Sequence, residues 1–156
     1  MARKFRSNDY FKLFCDNCCY NWRKLSCKKY KIKFKEVDED LPVKKCFLWR
    51  FAVEKFMAPG SNFNWTFYGS IRYLYSLQQS HGRTRKNQDK YILKCSYLQF
   101  EKYLLRNGYR RMYIAWLRSK FDPDLKPVIR KKRYHVDYEL QNVQLIVKKD
   151  TKKAKQ

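Results

Sequence analysis

Residues 127–153 read PVIRKKRYHVDYELQNVQLIVKKDTKK, and this stretch constrains the chain more than any other. Side chains alternate along an extended backbone, so Val143, Leu145 and Val147 share one face while Gln144, Ile146 and Lys148 take the other. A short apolar segment after Pro127, a basic loop, this alternating run and a lysine-rich end from Lys149 onward predict strand, loop, strand, helix.

The region ahead of it is read as helical. His81 to Lys90, HGRTRKNQDK, is a polar basic loop and the expected boundary. It separates a basic, aromatic-rich region at 1–80 from a C-terminal domain at 91–156. Ser96-x-x-Gln99 is a capping box that starts a helix through Arg106, closed by Asn107-Gly108. A further helix from about Tyr109 to Ser119 buries Met112, Tyr113, Trp116 and Leu117.

In the N-terminal region, Tyr10, Phe11, Phe14, Cys18 and Trp22 recur at helical spacing behind a cap at Ser7-Asn8-Asp9. Tyr30, Ile32 and Phe34 then alternate with Lys29, Lys31, Lys33 and Lys35, which predicts a strand with one apolar and one lysine face. The lysines can track phosphates, or guard an edge strand against pairing. A helix is expected from Pro42 to about Met57, with Phe47 and Phe51 inward and a stop at Pro59-Gly60. A second helix, starting after Asn62 or Asn64, carries Phe67, Ile71, Leu74 and Gln78 on its buried face.

The six cysteines, in a chain with no signal-peptide pattern, read as thiols or metal ligands rather than a disulfide framework. Small packed thiols are the preferred reading. The alternative is a structural zinc on Cys15, Cys18, Cys27 and Cys46, of which only Cys15-x-x-Cys18 has ligand spacing.

With 44% hydrophobic and 18% aromatic residues the chain can build a core, which excludes a disordered polyelectrolyte. Against that core stand 37 Lys and Arg and only 14 Asp and Glu, a net charge of +23 that favours a polyanionic partner. Nucleic acid, DNA or RNA, is therefore the expected partner, with room for a protein partner as well. No apolar run is long enough to span a bilayer, so no membrane partner is expected. The expected location is intracellular, in the cytoplasm or within a ribonucleoprotein particle.

Pro127, Tyr138, Asn142, Val143, Gln144 and Leu145 follow the order and spacing of the ββα-metal module of phage and homing HNH endonucleases. The chain resembles that family over about residues 90–153. The resemblance implies an α+β fold, mostly helical with short strands and a C-terminal ββα unit, in which Asn142 braces the loop. It also implies a divalent metal where hydrolysis is retained. Where the family carries Asp-Arg or Asp-His at the end of the first strand, this chain has Arg130-Lys131, and where the closing helix offers Asn it has Thr151. Arginine and lysine supply no ligand to a hard cation and no usable base at neutral pH.

The expected function is thus nucleic-acid binding without hydrolysis, and with no cofactor. Contacts are expected from Arg130, Lys131, Lys132, Arg133, Lys148, Lys149, Lys152 and Lys153, joined by Lys29 to Lys35 and by Arg83, Arg85 and Lys86. Two alternatives stand beside it. One is a structural RNA-binding component of a ribonucleoprotein particle. The other is an active nuclease with a non-standard site, using His135 as base and taking metal ligands from elsewhere, such as Asp137 or Asp150; His135 and Asn142 are then the candidate catalytic residues.

Overall fold

A computed structural model describes residues 13–22, 26–29, 32–33, 46–58, 62–80 and 92–153. The chain is α+β and divides into two compact units, Met1–Ser70 and Ile71–Gln156. No helix among the described residues is long and apolar enough to cross a membrane.

In the first unit, residues 13–16 are helical and then the chain turns. The expected helix does not continue through Cys18 and Trp22. Asn17 Nδ2 donates to the Leu13 carbonyl at 3.0 Å and Asn21 Nδ2 donates to the Cys15 carbonyl at 2.7 Å, offering the backbone partners that a further helical turn would otherwise supply. Asn21–Trp22 instead forms β1, antiparallel to β2 at Ser26–Cys27, which pairs with β3 at Ile32–Lys33. Tyr30, Lys31, Phe34 and Lys35 of the predicted lysine-faced strand lie outside the described residues.

Helix α1, Phe47–Met57, begins later than the Pro42 start expected from the sequence, because Cys46 is extended and its thiol accepts from Trp49 N at 3.3 Å as an N-cap. Its buried stripe is also displaced from the expected one. Phe47 is 46% exposed, whereas Leu48, Trp49, Ala52 and Phe56 face inward. Phe14, Trp49 and Phe56 form a triangle of rings with centroids 5.3 to 5.6 Å apart, the tilted and edge-on contacts that aromatic quadrupoles favour. Burial pushes the Cys46 thiol up to about 11 and raises Cys15 further, while Cys18 is raised first by its hydrogen bond with Cys19 and then by burial.

A 3-10 turn at Asn62–Trp65 leads into α2, Phe67–Ser80, within which the two units meet in sequence. Thr66 caps α2 by accepting from Gly69 N at 3.0 Å. Phe67, Ile71, Leu74 and Gln78 are buried, as their spacing predicts.

In the second unit, α3 spans Tyr97–Arg106 behind the predicted capping box, with Ser96 and Gln99 bonded reciprocally. Gly108, at φ 86°, takes the left-handed conformation that lets α4, Tyr109–Arg118, start at once. Helix α4 buries Tyr109, Tyr113, Trp116 and Leu117, while Met112 is only half-buried. Phe121 closes this cluster, its ring 4.8 Å from Trp116.

Strands β4, Pro127–Lys131, and β5, Val143–Val147, pair antiparallel in the register Pro127↔Val147 to Lys131↔Val143. Pro127 and Ile129 therefore share a face with Val143, Leu145 and Val147. Arg130, paired with Gln144, takes the opposite face with Val128 and Ile146. The short helix α5, Asp150–Lys153, follows β5.

Candidate nucleic-acid interface

Between β4 and β5 the chain makes a basic loop whose conformation is set by one buried side chain, Asn142, which is 7% exposed. Its Nδ2 donates to the carbonyls of Arg133 at 2.9 Å, Asp137 at 3.1 Å and Val136 at 3.3 Å, and its Oδ1 accepts from Arg133 N at 3.0 Å. Its own carbonyl accepts from Lys132 N at 2.7 Å. With its amide spent on backbone groups, Asn142 fixes the loop that displays the exposed side chains of Lys132 and Arg133.

The far end of the loop is anchored by Tyr138. Its ring is buried, its hydroxyl donates to Gln78 Oε1, and burial, with Cys95 as a smaller cause, pushes its pKa up to about 12. Lys131 lies with its Nζ 5.4 Å from the centroid of that ring, and Lys94 N donates to the Tyr138 carbonyl at 2.8 Å.

Arg130 is half-buried, and its Nη1 donates to the Thr151 carbonyl at 3.3 Å. The end of the first strand and the closing helix are thus brought together, and a guanidinium occupies the space between them. The metal that the family resemblance implies does not fit this donor set. Arg130 has no lone pair to give, and the Thr151 hydroxyl is turned to the Lys148 carbonyl at 2.7 Å. A divalent ion about 4 Å from a fixed guanidinium would meet repulsion on the order of 8 kcal/mol at an effective dielectric of about 20.

The remaining cations spread around this unit. Lys148 and Lys149 are exposed, their backbone N–H groups donating to the carbonyls of Lys126 and Asp124, both at 2.9 Å. Lys152 is exposed with Nζ 4.0 Å from Asp124, an ion pair worth little in solvent. Lys153 belongs to α5. His135 is exposed on the loop, and Asp137 stands 3.9 Å from Lys94. In the first unit Lys29 is exposed, with its Nζ 5.1 Å from the Tyr20 ring. Lys33 belongs to β3, and Lys31, Lys35, Arg83, Arg85 and Lys86 lie outside the described residues.

Two features were not legible in the sequence. Tyr134, between Arg133 and His135, is 77% exposed and offers a flat aromatic face among cations, which the tyrosine-rich composition conceals. Lys94, Lys102 and Arg106 border an open groove of about 550 Å³ between α3 and the Glu139–Gln141 segment, with Glu139 as its one carboxylate. The spacing of Lys102 and Arg106 on one helical face was the available signal. Tyr103, on the same helix, donates from its hydroxyl to the Val143 carbonyl at 3.0 Å and fixes α3 against β5. No protein-family model matches the chain, and no curated protein or solved structure matches it either.

Proposed function

We propose that this protein binds nucleic acid through the β4–loop–β5–α5 unit, an HNH-like ββα arrangement in which fixed cationic charge takes the place of the metal, and that the unit does not hydrolyse phosphodiester bonds. The observation that carries this reading is the Arg130 guanidinium held against Thr151, where hydrolysis would require an acidic ligand. A guanidinium matches the oxygens of a phosphate, and one bound to a backbone carbonyl retains further N–H donors for it. Lys132 and Arg133 extend the positive surface along the loop that Asn142 braces, Lys131 adds its charge from the end of β4 over the Tyr138 ring, and the net charge of +23 supplies long-range attraction. Contacts of this kind position a phosphate backbone without reading its sequence.

The test is binding to a labelled duplex DNA and a structured RNA as ionic strength is raised. Affinity is expected to fall by roughly 10³-fold or more between about 50 and 200 mM salt, and the paired substitution Lys132→Ala with Arg133→Ala should flatten the log–log slope by about 2. An affinity independent of salt would overturn the reading.

A further inference from the structure

Among the described residues of the first unit, the three strands are two residues each and the aromatic core rests mainly on α1. Small units of this kind are commonly held together by a disulfide or a metal. All six cysteines are free, so no disulfide serves that purpose.

Four of the six cysteines come from three separate segments to one place. Cys15 and Cys18 flank a tight turn, closed by Cys18 N donating to the Cys15 carbonyl at 3.2 Å and by Asn21 N donating to the Cys18 carbonyl at 3.1 Å. The β1–β2 pairing sets Cys27 opposite Asn21. Cys46 caps α1. Together with Phe14, Tyr20, Asn21 and Leu48, these four cysteines wall a small cavity of about 20 Å³, enough for one water-sized sphere. Cys19, though buried and adjacent in sequence, does not line it, and Cys95 belongs to the other unit.

We propose that Cys15, Cys18, Cys27 and Cys46 form a tetrahedral zinc site that staples the turn, the hairpin and the start of α1 together. Packing alone gives no reason for these four thiols, and not Cys19, to surround one cavity. The donor set is the all-sulfur one of closed structural zinc sites, and the Cys15-x-x-Cys18 turn is the arrangement that lets two thiolates face one ion. Trp49 N, 3.3 Å from Cys46 Sγ, is already placed as the outer donor that a zinc-bound thiolate accepts from. Among the described residues no group of three or more His, Cys, Asp and Glu is placed to hold a metal ion, so the proposed site requires the four thiols to close on the zinc as it binds. The four cysteines border the cavity, and binding would have to draw their sulfurs in to Zn–S distances of about 2.3 Å, with Cys18 exchanging its hydrogen bond to Cys19 for the metal. As each Zn–S bond forms, the thiol proton leaves to solvent, so binding releases protons and is favoured by rising pH.

The full chain, purified under reducing conditions without chelator, is expected to carry about one zinc by elemental analysis. Cys19→Ser and Cys95→Ser should keep it, and Cys15→Ser and Cys46→Ser should lose most of it. Because those two variants could fail to fold, the wild-type chain stripped of metal is also titrated with cobalt(II). Intense visible bands with thiolate-to-metal charge transfer, complete at about one equivalent and abolished by zinc, would support the site. A weak octahedral cobalt spectrum, or zinc retained equally by the Cys15→Ser and Cys46→Ser chains, would overturn it.

Discussion

Arg130 and Thr151, 21 residues apart, meet through one hydrogen bond of 3.3 Å from guanidinium to backbone carbonyl. The contact ties β4 to α5, and on the proposed reading it sets a permanent cation where a ββα nuclease needs an anionic ligand.

The purified chain is expected not to cut supercoiled plasmid or structured RNA in magnesium, manganese or zinc. Introducing the groups that HNH endonucleases carry, as Arg130→Asp, Lys131→His and Thr151→Asn, should raise affinity for divalent metal, read by calorimetry, because repulsion is exchanged for ligands. Metal-dependent cutting by the wild type that Asn142→Ala or His135→Ala abolishes would show an active site and defeat the proposal.

Asn142→Ala removes one acceptor and the two N–H donors that three loop carbonyls share, all in a single step. Leaving such groups without partners costs about 1–3 kcal/mol, and a loss of that size should appear in urea unfolding. Binding should weaken as well, since Lys132 and Arg133 lose the frame that displays them. An unchanged midpoint would mean that the loop is not held by this residue.

Tyr134→Ala separates stacking from charge. Removing an exposed ring that stacks on a base costs about 1–3 kcal/mol, so affinity for single-stranded RNA or DNA should fall roughly tenfold or more while the salt slope is unchanged. Equal loss on duplex and single strand would remove the ring from base stacking.

Tyr138 couples the loop to pH. Its folded pKa of about 12 lies above the ordinary tyrosine value, so between pH 10 and 12 the unfolded chain gives up the proton while the folded chain keeps it. The contribution of Tyr138 is therefore complete below about pH 10 and is lost as pH rises through 12, at no more than about 1.4 kcal/mol per pH unit. Tyr138→Phe has no titrating hydroxyl there, so the wild-type advantage in unfolding free energy should be largest near neutral pH and shrink in alkali. Parallel pH curves for the two proteins would place the Tyr138 hydroxyl in solvent.

Local pattern and charge were legible in the sequence. The alternation from Val143 to Val147 fixed which residues share a sheet face, because a strand has no other period. Ser96 and Gln99 marked a helix start through bonds made within four residues. The excess of lysine and arginine is read from composition and needs no fold. Helical spacing misled where polar side chains captured the backbone, as Asn17 and Asn21 do, and where a thiol cap moved the start of α1 to Phe47. Only tertiary structure joined Arg130 to Thr151, Tyr138 to Gln78 across 60 residues, and four thiols around one cavity. Those meetings depend on chain closure and packing between distant segments, and periodicity records only what a residue does with its near neighbours.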